Sequence, residues 1–310
     1  MTERSPDASV MVVGGAGFIG SHLVDRLVSA GRSVDVVDDL SSGSLANLAD
    51  ARSGGSDLSI HTLDAARPSL GELVGLRRPA VIYQLALLPP VEAPAVELGR
   101  SFTSMLATLD AARAAGVDKV VVALPATVLY GHPASRDLPV KEGTTEPRGV
   151  RGVVARAIVD LLAAYRERWG VEFTALAVAT AYGARQRPGG GVVAAFVHAA
   201  RCGEPPTITG DGRQTRDFVF VDDVVDALVR AGERGSGLVV NIGTGVATSV
   251  RDLWRRIAGA TEAAVEPRHV HAPPDELARF AVSPVRARIH LDWSPWTTLD
   301  DGLAEVLRPA

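Results

Sequence analysis

A run of glycines near the start of the chain has the spacing of a phosphate-binding turn. Gly15, Gly17 and Gly20 form Gly-x-Gly-x-x-Gly after an apolar run, and Gly14, Gly17 and Gly20 also form Gly-x-x-Gly-x-x-Gly. These glycines permit a tight turn, and the helix expected after them directs its first N–H groups at a pyrophosphate. Because the motif lies between a predicted strand and a predicted helix, it favours a dinucleotide site over a glycine turn without a ligand.

A carboxylate follows the next predicted strand, about twenty residues after the glycines. Asp38 and Asp39 come directly after Val37. A carboxylate here accepts hydrogen bonds from a ribose diol and repels a 2′-phosphate, so we expect NAD rather than NADP. Asp38 could instead only cap a turn. Asp64, after the third predicted strand, could reach an adenine amino group or could equally belong to a turn.

The elements that position these residues alternate between short apolar runs and longer helical patterns. Strands are predicted at 9–13, 34–37, 58–61, 81–85, 119–123 and 173–178, and helices at 18–30, 70–76, 102–115 and 150–169. Such alternation is typical of an α/β fold with a parallel, Rossmann-type doubly wound sheet. We expect this domain over residues 1–180 and a smaller α/β lobe over 181–310, with some of the chain crossing back. Proline and glycine predict a long loop over 124–148.

Composition and charge exclude several functional classes. The chain of 310 residues has a net charge of −4, which argues against a nucleic-acid partner. Its one cysteine, Cys202, rules out an internal disulfide and a cysteine-rich metal site, and we predict no metal. No apolar run approaches the roughly 18 residues that cross a bilayer, and the first ten residues lack the pattern of a signal peptide. We therefore expect a cytoplasmic protein without a membrane partner.

Six segments together resemble one family. They are GGAGFIGSHLVDRL at Gly14 to Leu27, VVDDLSSG at Val36 to Gly43, AYGARQRP at Ala181 to Pro188, GDGRQTRDFVFVDDVVDAL at Gly210 to Leu228, NIGTG at Asn241 to Gly245 and LDWSP at Leu291 to Pro295. The set resembles the extended short-chain dehydrogenase/reductases, in particular the NAD-dependent nucleotide-sugar epimerases and dehydratases. This resemblance implies a C-terminal lobe that binds a nucleotide diphosphate sugar, of the UDP or dTDP type.

The resemblance also implies two sets of binding residues. The expected NAD-binding residues are Gly14, Gly15, Gly17, Phe18, Ile19, Gly20, Asp38, Asp39, Leu40, Ser42, Gly43, Asp64, Leu85 and Ala86. The expected substrate-binding residues are Thr180, Arg185, Gln186, Arg216 and Arg279. Arg216 and Arg279 match phosphate-binding positions, and a guanidinium fork pairs bidentately with phosphate oxygens. Both arginines could instead form surface salt bridges.

The catalytic residues of the family are replaced in this chain. The family uses a Ser or Thr and a Tyr-x-x-x-Lys pair, in which the tyrosine removes a hydroxyl proton. The corresponding positions hold Ala126, Arg151 and Ala155, and no tyrosine of the chain has a lysine four residues later. Arginine cannot act as the base, because its pKa lies above about 12. Gln84 and Thr180 also stand where the family has His and Asn.

Four residues could supply chemistry instead. Thr127 follows the lost Ser/Thr position, Tyr130 and His132 come shortly after it, and Arg151 could clamp an anion or polarise a carbonyl. Each has a structural alternative: a strand-end threonine, a packed tyrosine, a solvated histidine and an arginine turned outward.

Two functions stay open at this point. The first is an enzyme that performs hydride chemistry on a UDP- or dTDP-sugar with a non-standard acid/base set, and we favour it. The second is a catalytically impaired pseudoenzyme that binds NAD and nucleotide sugar as a regulator or partner subunit. The resemblance further implies a homodimer through the helices predicted at 102–115 and 150–169.

Overall fold

The computed structural model describes residues 9–54, 57–89, 94–143, 146–261, 265–273 and 276–308. The strands are β1 (Val10–Val13), β2 (Val34–Asp38), β3 (Leu58–Thr62), β4 (Val81–Gln84), β5 (Lys119–Pro125), β6 (Phe173–Val178), β7 (Thr180–Tyr182), β8 (Thr207–Thr209), β9 (Thr215–Arg216), β10 (Phe218–Phe220), β11 (Leu238–Ile242), β12 (Thr248–Ser249) and β13 (Arg268–Val270). The α-helices are α1 (Phe18–Ser29), α2 (Ala49–Ser53), α3 (Ser69–Arg77), α4 (Ala95–Ala115), α5 (Ala126–Tyr130), α6 (Gly149–Trp169), α7 (Val192–Cys202), α8 (Val221–Glu233), α9 (Val250–Thr261), α10 (Val285–Leu291) and α11 (Leu299–Leu307).

A seven-stranded parallel sheet forms the centre of the described chain, in the order β11-β6-β5-β4-β1-β2-β3. Val13 at the end of β1 lies opposite Val37 on one side and Gln84 on the other. The strand order reverses between β1 and β4, which opens a crevice at the carboxyl ends of these strands. The glycine turn and Asp38 lie at this edge, so the sheet confirms the predicted Rossmann-type α/β fold.

The sequence forms this sheet because its central strands are mostly apolar. Each residue of β1, β2 and β4 is buried, as expected where helices cover both faces of a parallel sheet. In the helical layers, α1 packs against α8, and α4 packs against α3 and α6.

The second half of the chain contributes both to the main sheet and to short strand pairs outside it. α8 packs on β4, β5 and β6, and β11 pairs with β6, so residues 221–242 cross back to the main sheet. The short pairs β7–β10, β9–β12 and β8–β13 lie outside that sheet. The domain division near residue 180 stays a prediction, with this segment as its crossover. None of the helices described is both long and apolar enough to cross a membrane.

Two predicted elements differ from the structure. α4 begins at Ala95 instead of residue 102, because Leu98 and Ser101 pack into the core although Gly99 weakens the local helical pattern. The predicted loop over 124–148 contains the end of β5 and the whole of α5. Pro125 ends the strand and precedes the helix, a position where its missing N–H is tolerated.

Candidate active site

The glycine turn and the start of α1 form a cradle at the carboxyl end of β1. α1 begins at Phe18, and its first turn has neither a side-chain cap nor an acidic residue. Its first backbone N–H groups therefore point into the turn, together with the positive end of the helix dipole. Such an end is suited to a pyrophosphate.

At two positions of this turn, the neighbouring backbone leaves no space for a side chain, so glycine is required. Gly14 has a φ of +82°, and a Cβ there would lie 2.8 Å from the backbone nitrogen of Ala86. A Cβ on Gly20 would collide with the carbonyl oxygen of Gly14. The turn thus lies directly against the backbone that follows β4, and a side chain at either position would push this backbone or the turn itself out of place.

The carboxylate of Asp38 lies beneath the glycine turn. Ala16 N–H donates to its Oδ2 and Leu40 N–H to its Oδ1, each at 2.9 Å. Burial raises the pKa of Asp38, against the effect of the two hydrogen bonds. Each oxygen keeps a second lone pair, so the oriented carboxylate can also accept hydrogen bonds from ribose hydroxyls. Together, the cradle and this carboxylate fit NAD.

The other expected cofactor residues surround this edge. A Cβ on Gly43 would lie 2.9 Å from the backbone of Ala16, so the segment with Leu40, Asp39 and Ser42 folds closely over the turn. Leu85 and Ala86 follow β4 beside Gly14. Asp64 instead pairs with Arg100 at 2.8 Å and caps its own turn at Ala66.

A cleft of about 370 Å³ is lined by residues from both halves of the sequence. Its lining residues are Thr127, His132, Thr180, Arg216, Pro273, Glu276 and Leu277. The cleft thus brings together two of the four catalytic candidates and two of the expected substrate residues, from segments that are distant in the sequence.

Arg216 is the charged anchor of this cleft. It ends β9, and its guanidinium donates to the carbonyls of Thr215 and Leu277 and to Glu276 Oε1, the last at 2.7 Å. Burial lowers the pKa of Arg216, although a guanidinium remains charged at neutral pH. The cleft therefore contains a fixed positive charge that one carboxylate already contacts.

The remaining catalytic candidates lie elsewhere. Tyr130 is buried, and its hydroxyl donates to Asn241 Oδ1 at 2.6 Å. Burial raises the pKa of Tyr130 well above its ordinary value of 10. Arg151, in the first turn of α6, donates to the carbonyl of Pro89. Ala126 and Ala155 are fully buried, so neither position offers a polar group to a ligand.

Three expected substrate residues do not line the cleft. The guanidinium of Arg185 pairs with Asp25 at 2.6 Å and Asp50 at 2.7 Å, which ties it to α1 and α2. Gln186 donates to the carbonyls of Ala181 in β7 and of Gly190 in the loop that follows. Arg279 is exposed on the segment that follows Leu277.

Sequence reasoning missed Glu276 and Asn241. Glu276 lies 60 positions from Arg216, and Asn241 lies 111 positions from Tyr130, so only tertiary contact joins each pair. The NIGTG segment contained Asn241, but no local pattern indicated its partner. Gln84, noted only as a departure from the family, accepts from Ala86 N–H at 3.0 Å and donates to Ser104 and Thr108.

The chain is similar to known proteins over nearly its whole length. The chain is 39% identical over 308 residues to a UDP-glucose 4-epimerase of Mycolicibacterium smegmatis, covering 96% of each chain. The crystal structure of a Thermotoga maritima UDP-glucose 4-epimerase with UDP-glucose superposes with a TM-score of 0.90 at 31% identity, covering 96% of this chain and 97% of that one. A Thermus thermophilus UDP-glucose 4-epimerase in complex with NAD gives a TM-score of 0.87 at 27% identity, with 96% and 97% covered.

A family description matches residues 10–243, which are most of the chain. It confirms the predicted enzyme class and the predicted cofactor, NAD. The chain belongs to the NAD dependent epimerase/dehydratase family.

Proposed function

We propose that this protein performs NAD-dependent hydride chemistry on a UDP- or dTDP-sugar with a non-standard acid/base set. The observation that carries the proposal is the cleft in which Arg216 lies with Thr127, His132 and Thr180. A guanidinium supplies the charge that a diphosphate needs, and hydroxyl and imidazole groups suit a sugar. The named activities of the relatives support the UDP-sugar in particular.

Each part of the site has a defined task in this proposal. The glycine turn and the start of α1 would bind the pyrophosphate of NAD, and Asp38 would accept hydrogen bonds from its ribose hydroxyls. When bound, NAD supplies a hydride acceptor. Arg216 binds the substrate diphosphate, which holds the sugar at the hydroxyl-lined part of the cleft, where Thr127 and Thr180 hydrogen-bond to it.

The pseudoenzyme is the second candidate. Ala126 and Ala155 are buried and apolar at two positions where the family has catalytic groups, and Arg151 contacts Pro89. A chain with this arrangement could bind both ligands without turnover. Detection of a reduced cofactor after addition of a nucleotide sugar separates the two functions.

We also propose a homodimer through α4 and α6. These two long helices pack against each other, and they expose Val96 on α4 and Val150, Val153 and Trp169 on α6. Apolar residues on adjacent exposed helices favour association with a second copy.

Calorimetric titration with UDP-glucose, and then with dTDP-glucose, tests the substrate class. We expect Arg216→Ala to weaken binding by roughly tenfold to a hundredfold, since a charge-assisted hydrogen bond contributes about 1.5–3 kcal/mol. NAD affinity should not change. Arg213→Ala is the matched control, because Arg213 is exposed three positions before Arg216 and pairs locally with Asp211 at 3.3 Å. Equal losses in the two variants would argue against Arg216 as the phosphate ligand.

A further inference from the structure

We propose that His132 is the proton-transfer residue of this site, in place of the absent tyrosine. The inference rests on the proposed function, because it requires a nucleotide sugar in the cleft. It assigns the imidazole to the hydroxyl of the reacting sugar carbon.

The chemistry of the cleft residues selects His132. Thr127 and Thr180 have hydroxyls that do not ionise near neutral pH, and Arg216 stays protonated. Glu276 accepts a hydrogen bond from Arg216 at 2.7 Å. Of the described side chains that line the cleft, only His132 is an acid–base group whose donor and acceptor atoms have no hydrogen-bond partner among the described residues.

Contacts of Tyr130 and Gly131 hold the backbone that leads to His132. Tyr130 is anchored through its hydroxyl to Asn241, in the buried part of the fold. Gly131 has a φ of +63°, and its N–H donates to the carbonyl of Thr127 at 3.1 Å. A Cβ on Gly131 would collide with the carbonyl of Glu146, which is paired with it in a parallel bridge. His132 therefore follows a turn that glycine alone permits, and its position in the cleft is set by buried contacts.

Both ring nitrogens of His132 are available to a ligand. Within the described part of the chain, neither nitrogen has a hydrogen-bond partner, and the side chain is half-buried at the wall of the cleft. The charged groups that share this cleft are Arg216 and Glu276, and they engage each other. A sugar hydroxyl held by the Arg216-bound diphosphate would supply the missing partner.

Oxidation of the sugar carbon couples this proton transfer to the loss of a hydride. Its C–H bond breaks, and the hydrogen leaves with both electrons as a hydride, for which bound NAD would be the acceptor. The O–H bond breaks as well, and its electron pair forms the second carbon–oxygen bond. The proton goes to the unprotonated nitrogen of His132. For reduction, the imidazolium returns this proton to the oxygen while the carbon regains a hydride.

His132→Gln tests the proposal, with His290→Gln on the exposed face of α10 as the matched control. Calorimetry with UDP-glucose measures binding, and the NADH absorbance band measures hydride transfer in a single turnover. Nuclear magnetic resonance of the histidine rings, without NAD, identifies the His132 signal as the one missing from His132→Gln. We expect this signal to move on addition of UDP-glucose, and its titration midpoint to match that of the rate.

The expected result for His132→Gln is UDP-glucose affinity close to that of the parent and a rate lower by roughly 10²–10⁴. The control, His290→Gln, should keep both the UDP-glucose affinity and the rate of the parent protein. His132→Asn serves as a second variant, and an unchanged thermal midpoint verifies folding.

Other outcomes would overturn the proposal in distinguishable ways. UDP-glucose binding with an unmoved His132 signal and an unchanged rate in both variants would reject this role and leave the proposed function intact. Binding without any reduced cofactor in the parent would reject proton transfer by His132 and favour the pseudoenzyme. Absence of binding to both UDP-glucose and dTDP-glucose would reject the proposed function together with this inference.

Discussion

Arg216 Nη2 donates a hydrogen bond to Glu276 Oε1 at 2.7 Å inside the cleft. The side chain expected to hold the substrate phosphates is therefore already paired with a carboxylate. Both groups are mostly shielded from solvent, which strengthens a charge-assisted hydrogen bond. An incoming diphosphate must compete with Glu276 for the guanidinium.

This competition predicts a gain in affinity for Glu276→Gln. Because the amide keeps the shape of the side chain and removes its charge, we expect UDP to bind roughly five- to twentyfold more tightly, measured by calorimetry. Glu305→Gln is the matched control, since Glu305 forms an exposed ion pair with Arg308 at 2.7 Å. Weaker UDP binding in Glu276→Gln would mean that the carboxylate contacts the ligand itself.

Asp38→Asn should weaken NAD binding and reduce the preference of the protein for NAD over NADP. The amide has one accepting oxygen, so its NH₂ group would face Ala16 N–H or Leu40 N–H, which both donate to the carboxylate. Loss of the negative charge also removes the repulsion of a 2′-phosphate. Asp57→Asn, at an exposed carboxylate that accepts from Ser33, is the control. Unchanged discrimination between NAD and NADP would contradict the assignment of Asp38.

The carboxylate of Asp38 should also make NAD binding depend on pH. Burial raises the pKa of Asp38 above 3.8, so the carboxylate takes up a proton at a higher pH than an ordinary aspartate does. A neutral carboxyl is a weaker acceptor, so NAD affinity should fall as the pH is lowered towards this raised pKa. In Asp38→Asn this part of the pH profile should be flat, as measured by titration of NAD at a series of pH values.

The cofactor-binding residues at the ends of β1 and β2 could be predicted from the sequence, because the patterns that indicate them are local. The turn from Gly14 to Gly20 and the carboxylate of Asp38 lie at the ends of adjacent strands whose apolar runs are unmistakable. Parallel pairing of β1 with β2 then brings them together without further information.

The cleft could be predicted only in part. Resemblance indicated Arg216, and proximity to the lost catalytic positions indicated Thr127 and His132, but the sequence could not decide which candidates share a cavity. The sequence also indicated Arg151 and Tyr130, but it gave no sign that Arg151 contacts Pro89 or that Tyr130 bonds to Asn241. Such contacts depend on tertiary packing, which no local spacing specifies.

Tyr130→Phe should lower stability without acting on the chemistry. Its hydroxyl bonds to Asn241 at 2.6 Å in the buried core, and its loss leaves that acceptor unsatisfied, which costs about 1–3 kcal/mol in the free energy of unfolding. Since burial raises the pKa of this hydroxyl, it does not ionise near neutral pH. Denaturant unfolding should therefore show the loss, while the pH profile of the rate stays unchanged.

Tyr165→Phe provides the comparison for that measurement. The Tyr165 hydroxyl bonds to Asp110, whose carboxylate is largely exposed and can turn to water, so the stability loss should be smaller. A hundredfold drop in rate for Tyr130→Phe, with stability retained, would instead assign the acid to Tyr130.

Val153→Glu should dissociate the proposed homodimer. Val153 and Val150 lie one turn apart on α6 and are exposed, beside α4 with its exposed Val96. A carboxylate on this apolar surface would lose its hydration on association, so association should weaken by several kcal/mol. Sedimentation at micromolar concentration should then give a monomer, while Val285→Glu, at an exposed valine of α10, stays dimeric. A parent protein that sediments as a monomer would refute the dimer itself.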